Sequence, residues 1–203
     1  MKQTIANNVI SRIYGNGRGW AFSPKDFSDI GPRSSIDVAL YRLLAKETIR
    51  RVIRGVYDYP QYSRRLKRTL SPDVDQVARA LARKFGWNIQ PTGMGALNAL
   101  RLSTHIQGQY AYLSDGPSRT YMIGKQALIF KHAQRKESGF KHHESALLVQ
   151  GLKSLGQDRI TPETTARLRE WLREDMRPKV IKDTALVPAW MREVILDICR
   201  EKS

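Results

Sequence analysis

A single cysteine, Cys199, excludes any intrachain disulfide framework and suits a reducing compartment. No apolar run approaches the roughly 18 residues of a membrane-spanning helix. The opening stretch MKQTIANNVISRIYG lacks the continuous apolar segment of a secretory signal. The expectation is therefore a cytoplasmic protein with no membrane partner. Acidic residues are scarce, 19 against 35 Lys and Arg, which leaves a formal charge of +16 and a pI near 10.3. Such a field draws polyanions, nucleic acid first among them, and says nothing about fold. Hydrophobic residues at 41% and charged ones at 27% are ordinary for a globular chain and exclude a disordered one.

Catalytic and metal-binding patterns are also missing. His142, His143 and Glu144 are adjacent, and neighbours on a helix do not face one another, so they make a poor metal site. His105 and His132 stand alone and read as structural histidines; Cys199 lies on the apolar face of the last helical stretch and reads as buried. GMGALN (93–98) has neither the spacing nor the lysine of a P-loop, so tight helix packing is the expected reason for Gly93 and Gly95. In SDGPSRT (114–120), Asp115, Ser118 and Arg119 cluster at what reads as a hairpin tip. Turn chemistry is one account of them, a phosphate or partner loop the other. No nucleophile, base and orienting group can be assembled. The expectation is a non-enzyme without metal or cofactor.

What the sequence does have is patterning. Ile5, Val9, Ile10 and Ile13 predict an amphipathic helix over 3–14, and GNGRGW stops it. Ser23 and Pro24 start a short helix to Asp29 that Gly31-Pro32 ends. Ser34 or Ser35 should cap a third helix with its stripe at Ile36, Leu40, Leu43 and Leu44. In IRRVIRGVYDYP (49–60), two β-rich runs flank Arg54-Gly55, a hairpin signal. Three helices and a hairpin are the order of a winged helix-turn-helix. YSRRLKRTLSPD reads as a linker around 63–72, which places domains at 1–62 and 71–203. Residues 1–70 hold 14 basic and 5 acidic side chains and residues 71–203 hold 21 and 14, so the excess is +9 in the first stretch and +7 in the second.

Beyond the linker, 72–86 is a strong helix with Val74, Val77, Ala78, Leu81 and Phe85 on one side. A short helix near 95–102 follows, then β-rich runs at 109–114, 119–124 and 126–132, the first two joined by Asp115-Gly116-Pro117. Three helical stretches begin near His142, Thr161 and Pro188. The expected class is α+β: a winged helix-turn-helix, then a mixed α/β domain with a helical C-terminal subdomain.

In that frame the third helix would enter the major groove N-terminal end first. Its stripe turns Arg33, Ser34, Ser35, Asp37, Val38, Tyr41 and Arg42 outward. Arginine can fork onto guanine, and serine can serve base edge or phosphate. Lys46, Arg50, Arg51, Arg54 and Tyr57 complete the expected DNA-binding set, with the hairpin arginines along the backbone.

GWAFSPKDFSDIG, IDVALYRLLAKETI and RRVIRGVYDYP together resemble the N-terminal winged-helix domain of AbiEi-type antitoxins, of type IV toxin–antitoxin operons. DQVARALARKFGWNIQPTG, LSDGPSRTYMIG and ALIFKHA are similar to the antitoxin domain of a shorter branch, so the resemblance runs over about 3–135. It implies an autorepressor that binds double-stranded promoter DNA and an antitoxin opposing a nucleotidyltransferase-like toxin. The DNA role carries onto Arg33, Ser34, Ser35, Tyr41, Arg42 and the hairpin arginines; no toxin-neutralising residue carries over. Two other readings remain. One is an interaction module that neutralises such a toxin by direct binding, and the other a nucleic-acid-processing enzyme. The apolar C-terminal helices are compatible with a homodimer.

Overall fold

Apolar spacing sets the first helix of the computed structural model, which describes residues 4–104, 109–133 and 140–200. Thr4 caps α1 (Ile5–Asn16) by accepting from the Asn7 amide, and Val9 and Ile13 are its buried side. Next come β1 (Ala21–Phe22) and one 3-10 turn, Pro24–Phe27. The expected helix to Asp29 is no longer than this turn: Ser28 and Ile30 donate three residues back, and Pro32 has no N–H to continue. α2 (Arg33–Ala45) buries Ile36, Ala39, Leu40 and Leu43, close to the predicted stripe. Its N-cap is Pro32, not Ser34 or Ser35, because the fixed φ of proline already turns the chain into the helix.

β2 (Arg50–Ile53) and β3 (Val56–Asp58) form the expected hairpin, and Gly55 supplies the left-handed turn with φ +73°. β3 also pairs with β1, giving a three-stranded antiparallel sheet β1-β3-β2. Phe22 and Phe27 meet edge to face at 5.5 Å in a core shared with Val9, Ile13, Ile36 and Leu40. The expected linker is not bare. β4 (Tyr62–Ser63) and β5 (Arg68–Thr69) make a two-stranded ribbon whose exposed, charged residues give no apolar alternation to read.

Asp73 caps α3 (Val74–Phe85) by accepting from the Asp75 and Gln76 amides. Val77, Ala78 and Leu81 are buried, while Phe85 stays partly exposed and stacks on Trp87 at 4.6 Å. α3 packs on β1, β3 and the 3-10 turn. The compact units accordingly comprise residues 1–88 with 121–128, and 89–120 with 129–203, so the division falls after this helix rather than at 62–71.

The second unit opens with β6 (Ile89–Pro91) and α4 (Met94–Ala99), then β7 (Gln109–Ser114). Gly93 precedes α4 at φ +56° with open space around its Cα, so backbone conformation and not tight packing calls for glycine there. β8 (Arg119–Ile123) and β9 (Gln126–His132), whose residues 121–128 count with the first unit, follow in a sheet of order β6-β7-β9-β8. β9 thus lies between β7 and β8. Asp115-Gly116-Pro117 is a crossing loop and not the hairpin tip expected, because Gly124 (φ +61°) turns β8 straight into β9, which takes the place beside β7.

α5 (His143–Leu155), α6 (Pro162–Trp171), α7 (Arg177–Asp183) and α8 (Ala189–Cys199) follow. α7 has no counterpart in the sequence reading, because only Val180 of its seven residues is buried. Leu100, Leu148, Leu152, Leu168, Ile195 and Ile198 are in one core. The class is α+β with small sheets, and among the described residues no helix is long and apolar enough to cross a membrane.

A β-carbon on Gly151 of α5 would overlap Leu100 Cδ1, and Leu100 has no exposed surface to retreat into. Gly151→Ala is therefore expected to destabilise the second unit by about 1–3 kcal/mol through overpacking. Urea unfolding followed by circular dichroism reads this as a lower midpoint; an unchanged midpoint would show that α4 and α5 can part at no cost.

Candidate nucleic-acid interface

Because α2 buries one stripe, its other side is presented to solvent. Arg33, Ser34, Asp37, Val38, Tyr41, Arg42 and Lys46 are exposed, Ser35 partly so, and Tyr41 stands 72% and Val38 50% exposed. Ser34, Ser35, Val38 and Arg42 line a groove with Thr4, Ile5 and Ala6. Arg33 Nε holds both carboxylate oxygens of Asp37, one turn on, at 2.8 and 2.9 Å. That pair is solvent-exposed and worth a few tenths of a kcal/mol at most, on the order of 0.3–0.5, so it holds the guanidinium loosely.

The hairpin arginines do not act as one group. Arg50 is spent inside the unit. Its Nε and Nη2 donate to Asp58 Oδ1 and Oδ2 at 3.0 and 2.6 Å, and its Nη1 to the Leu70 carbonyl at 3.1 Å. Asp58 is buried, so this fork neutralises a carboxylate that would otherwise be unpaired. Tyr57 is spent as well, packed against the core with its ring 6.2 Å from Phe22. Both leave the expected DNA-binding set, since period-2 alternation cannot reveal that an inward carboxylate waits on the next strand. Arg51 is exposed, and lines a groove of about 800 Å³ with Arg18, Tyr14, Tyr59 and Tyr62.

Arg54, at the hairpin turn, belongs to another cluster. Lys84, near the end of α3, donates to the Arg54 carbonyl at 3.2 Å, while Lys25 donates to the Lys84 carbonyl at 3.4 Å. Lys25, Arg33 and Lys84 line a cavity of about 470 Å³ with Ser23, Ser28, Ile36, Gly55 and Phe85. Burial first, then the charges of Arg33 and Arg54, push the Lys84 ammonium below its usual range. Lys25 and Lys84 escape a reading of the sequence alone. Lys84 sits on a helix whose apolar face does not say which unit it packs against, and Lys25 lies in a turn without periodicity.

Other basic residues in this unit serve the fold. Arg12 grips Asp29 at 2.6 and 2.7 Å, which holds that carboxyl at about 2. Arg83 Nε meets Asp26 at 2.5 Å, and its Nη2 donates to the Ala21 carbonyl.

In the crossing loop, Ser118 Oγ accepts from the His132 amide at 2.9 Å, Ser114 Oγ accepts from the Gly116 amide at 3.0 Å, and the His132 ring meets the Gly116 carbonyl. These bonds give Ser118 and His132 structural employment; Asp115 is half-buried and Arg119 exposed. His142 is the N-cap residue of α5, where Asp183 accepts from the Lys141 and His142 amides at 3.0 Å each. His105 lies outside the described residues. Cys199 is buried, and that burial pushes its thiol up.

A family model described as "Family of unknown function (DUF6088)" matches residues 8–180. Among solved structures, the chain is similar to the crystal structure of RV2827C protein from Mycobacterium tuberculosis. That match has 11% identity and a TM-score of 0.42, and covers 97% of this chain and 76% of the other. No curated protein matches.

Proposed function

The chain belongs to the DUF6088 family, a family of unknown function, and we propose that it is a non-enzymatic DNA-binding autorepressor and the antitoxin of a type IV-like toxin–antitoxin pair. The observation that carries the DNA half is the outward side of α2, with Arg33, Ser34, Val38, Tyr41 and Arg42 exposed opposite a buried stripe. α1, the 3-10 turn, α2 and the β2–β3 hairpin, with β1 as third strand, are read as a winged helix. Arg42 can fork onto guanine, the Val38 methyls can meet a thymine methyl, and Ser34 can serve base edge or phosphate. Arg51 and Arg54 are the exposed hairpin guanidiniums for backbone phosphates. The antitoxin half, with a nucleotidyltransferase-like toxin as partner, rests on the resemblance to AbiEi-type antitoxins.

Fluorescence anisotropy with the chain's own promoter duplex and a scrambled duplex tests the reading. The promoter should be preferred, and affinity should fall by three decades or more between roughly 50 and 200 mM salt if about 6–10 phosphates are contacted. Equal binding of both duplexes, insensitive to salt, would reject it. A second reading, direct docking onto the toxin, draws on the exposure of Tyr41 and Val38. Co-purification of toxin and chain at high salt, without duplex binding, would favour it.

A further inference from the structure

We propose that the cavity lined by Ser23, Lys25, Arg33, Gly55 and Lys84 is a phosphate-binding site. Three cationic side chains from three elements line one space, the 3-10 turn giving Lys25, α2 giving Arg33 and α3 giving Lys84. Among the described residues no carboxylate lines it. Asp26 accepts from the Ser23 amide and Arg83, while Asp37 pairs loosely with Arg33 from outside the lining and offsets part of its charge. The Lys84 ammonium is partly desolvated and carries two guanidiniums as its electrostatic neighbours. Like charges that line one space repel, most at the partly buried Lys84, and an anion placed among them lowers that energy.

Shape agrees with charge. A β-carbon on Gly55 would stand 2.8 Å from Lys84 Nζ, so the residue at the hairpin turn leaves the ammonium its position. Ile36 and Phe85 give the recess an apolar wall beside the cations. A volume of about 470 Å³ lies within the range of small-ligand pockets, and it admits a phosphate with the sugar attached to it. Lys25 and Lys84 keep donors beyond the backbone carbonyls they meet, since each ammonium carries three.

The phosphate can be one of a DNA backbone or a free one, and two titrations of the full chain separate these. One follows labelled promoter duplex by anisotropy; the other follows inorganic phosphate by calorimetry at fixed ionic strength. Lys84→Gln, whose amide can keep the bond to the Arg54 carbonyl, and the exposed Lys25→Gln are compared with Arg79→Gln, which removes a charge from α3 outside the cavity. Each cavity variant is expected to weaken one arm about tenfold, the loss of a single charge-assisted bond, and Arg79→Gln to stay within about twofold. Loss in the duplex arm, with the salt slope falling by about one, supports a backbone phosphate. Loss in the inorganic-phosphate arm alone supports a free one. Binding by both cavity variants equal to wild type in both arms overturns the site, whatever becomes of the repressor reading. The duplex arm rests on that reading and the phosphate arm does not, so wild type that binds phosphate but no duplex would end the first and leave the second standing.

Discussion

Arg50→Ala should lower the thermal midpoint of the first unit markedly, a structural effect and not a DNA-binding one. The guanidinium forks onto Asp58, a carboxylate only 2% exposed, and its third nitrogen ties the Leu70 carbonyl at the end of the β4–β5 ribbon. Truncating it strands a buried negative charge, which costs about 3–5 kcal/mol for a fully buried pair. The Arg50 side chain is a third exposed, so water softens the penalty and about 3 kcal/mol is the fitting figure. In a unit of this size, that lowers the thermal midpoint by on the order of 10 °C. Arg50→Ala with Asp58→Ala should recover part of the loss, because the stranded charge goes with its partner. Arg51→Ala, in the same strand but exposed, should leave the midpoint within about 1–2 °C. Calorimetric scans of the four proteins decide it. An Arg50→Ala midpoint at the wild-type value would mean that the fork is dispensable and would return Arg50 to the DNA-facing set.

The contrast between Arg50 and Arg51 marks how far the sequence could be read. Helix positions were legible because burial obeys the 3.6 period, as in α2, where Ile36, Leu40 and Leu43 are buried as their spacing predicts. The β2–β3 hairpin was legible because Arg54-Gly55 is a turn signal between β-branched runs. Pairings between distant segments were not. Nothing local shows that Asp26 waits for Arg83 some sixty positions on, or that β9 takes the place beside β7. The division between units failed to show for the same reason. The stripe on α3 announces a buried face, and only the contacts with β1 and β3 say where that face goes. In the candidate interface, exposure of Arg33, Tyr41 and Arg42 followed from the stripe opposite them, whereas the cavity with Lys25 and Lys84 needs three elements brought together.

On the proposed reading, Tyr41→Ala with Arg42→Ala should abolish the preference for promoter over scrambled duplex while leaving the fold intact. Both side chains are exposed, and neither belongs to the buried stripe of Ile36, Ala39, Leu40 and Leu43, so stability should change by no more than about 0.5 kcal/mol. A bidentate arginine contact discriminates against a wrong base by about 1–3 kcal/mol, and an aromatic contact beside it adds to that. The pair together should therefore reduce promoter affinity by about a hundredfold, down to the level of the scrambled duplex. Binding to the scrambled duplex should fall far less, because the hairpin cations still meet phosphates. Arg51→Ala with Arg54→Ala should do the opposite, weakening both duplexes alike and lowering the salt slope by about two. Anisotropy titrations of these two double variants, on both duplexes at two salt concentrations, separate base reading from backbone attraction. A promoter preference that survives the loss of Tyr41 and Arg42 would place sequence recognition elsewhere on the chain, and α2 would then be an ordinary core helix with a polar outer side.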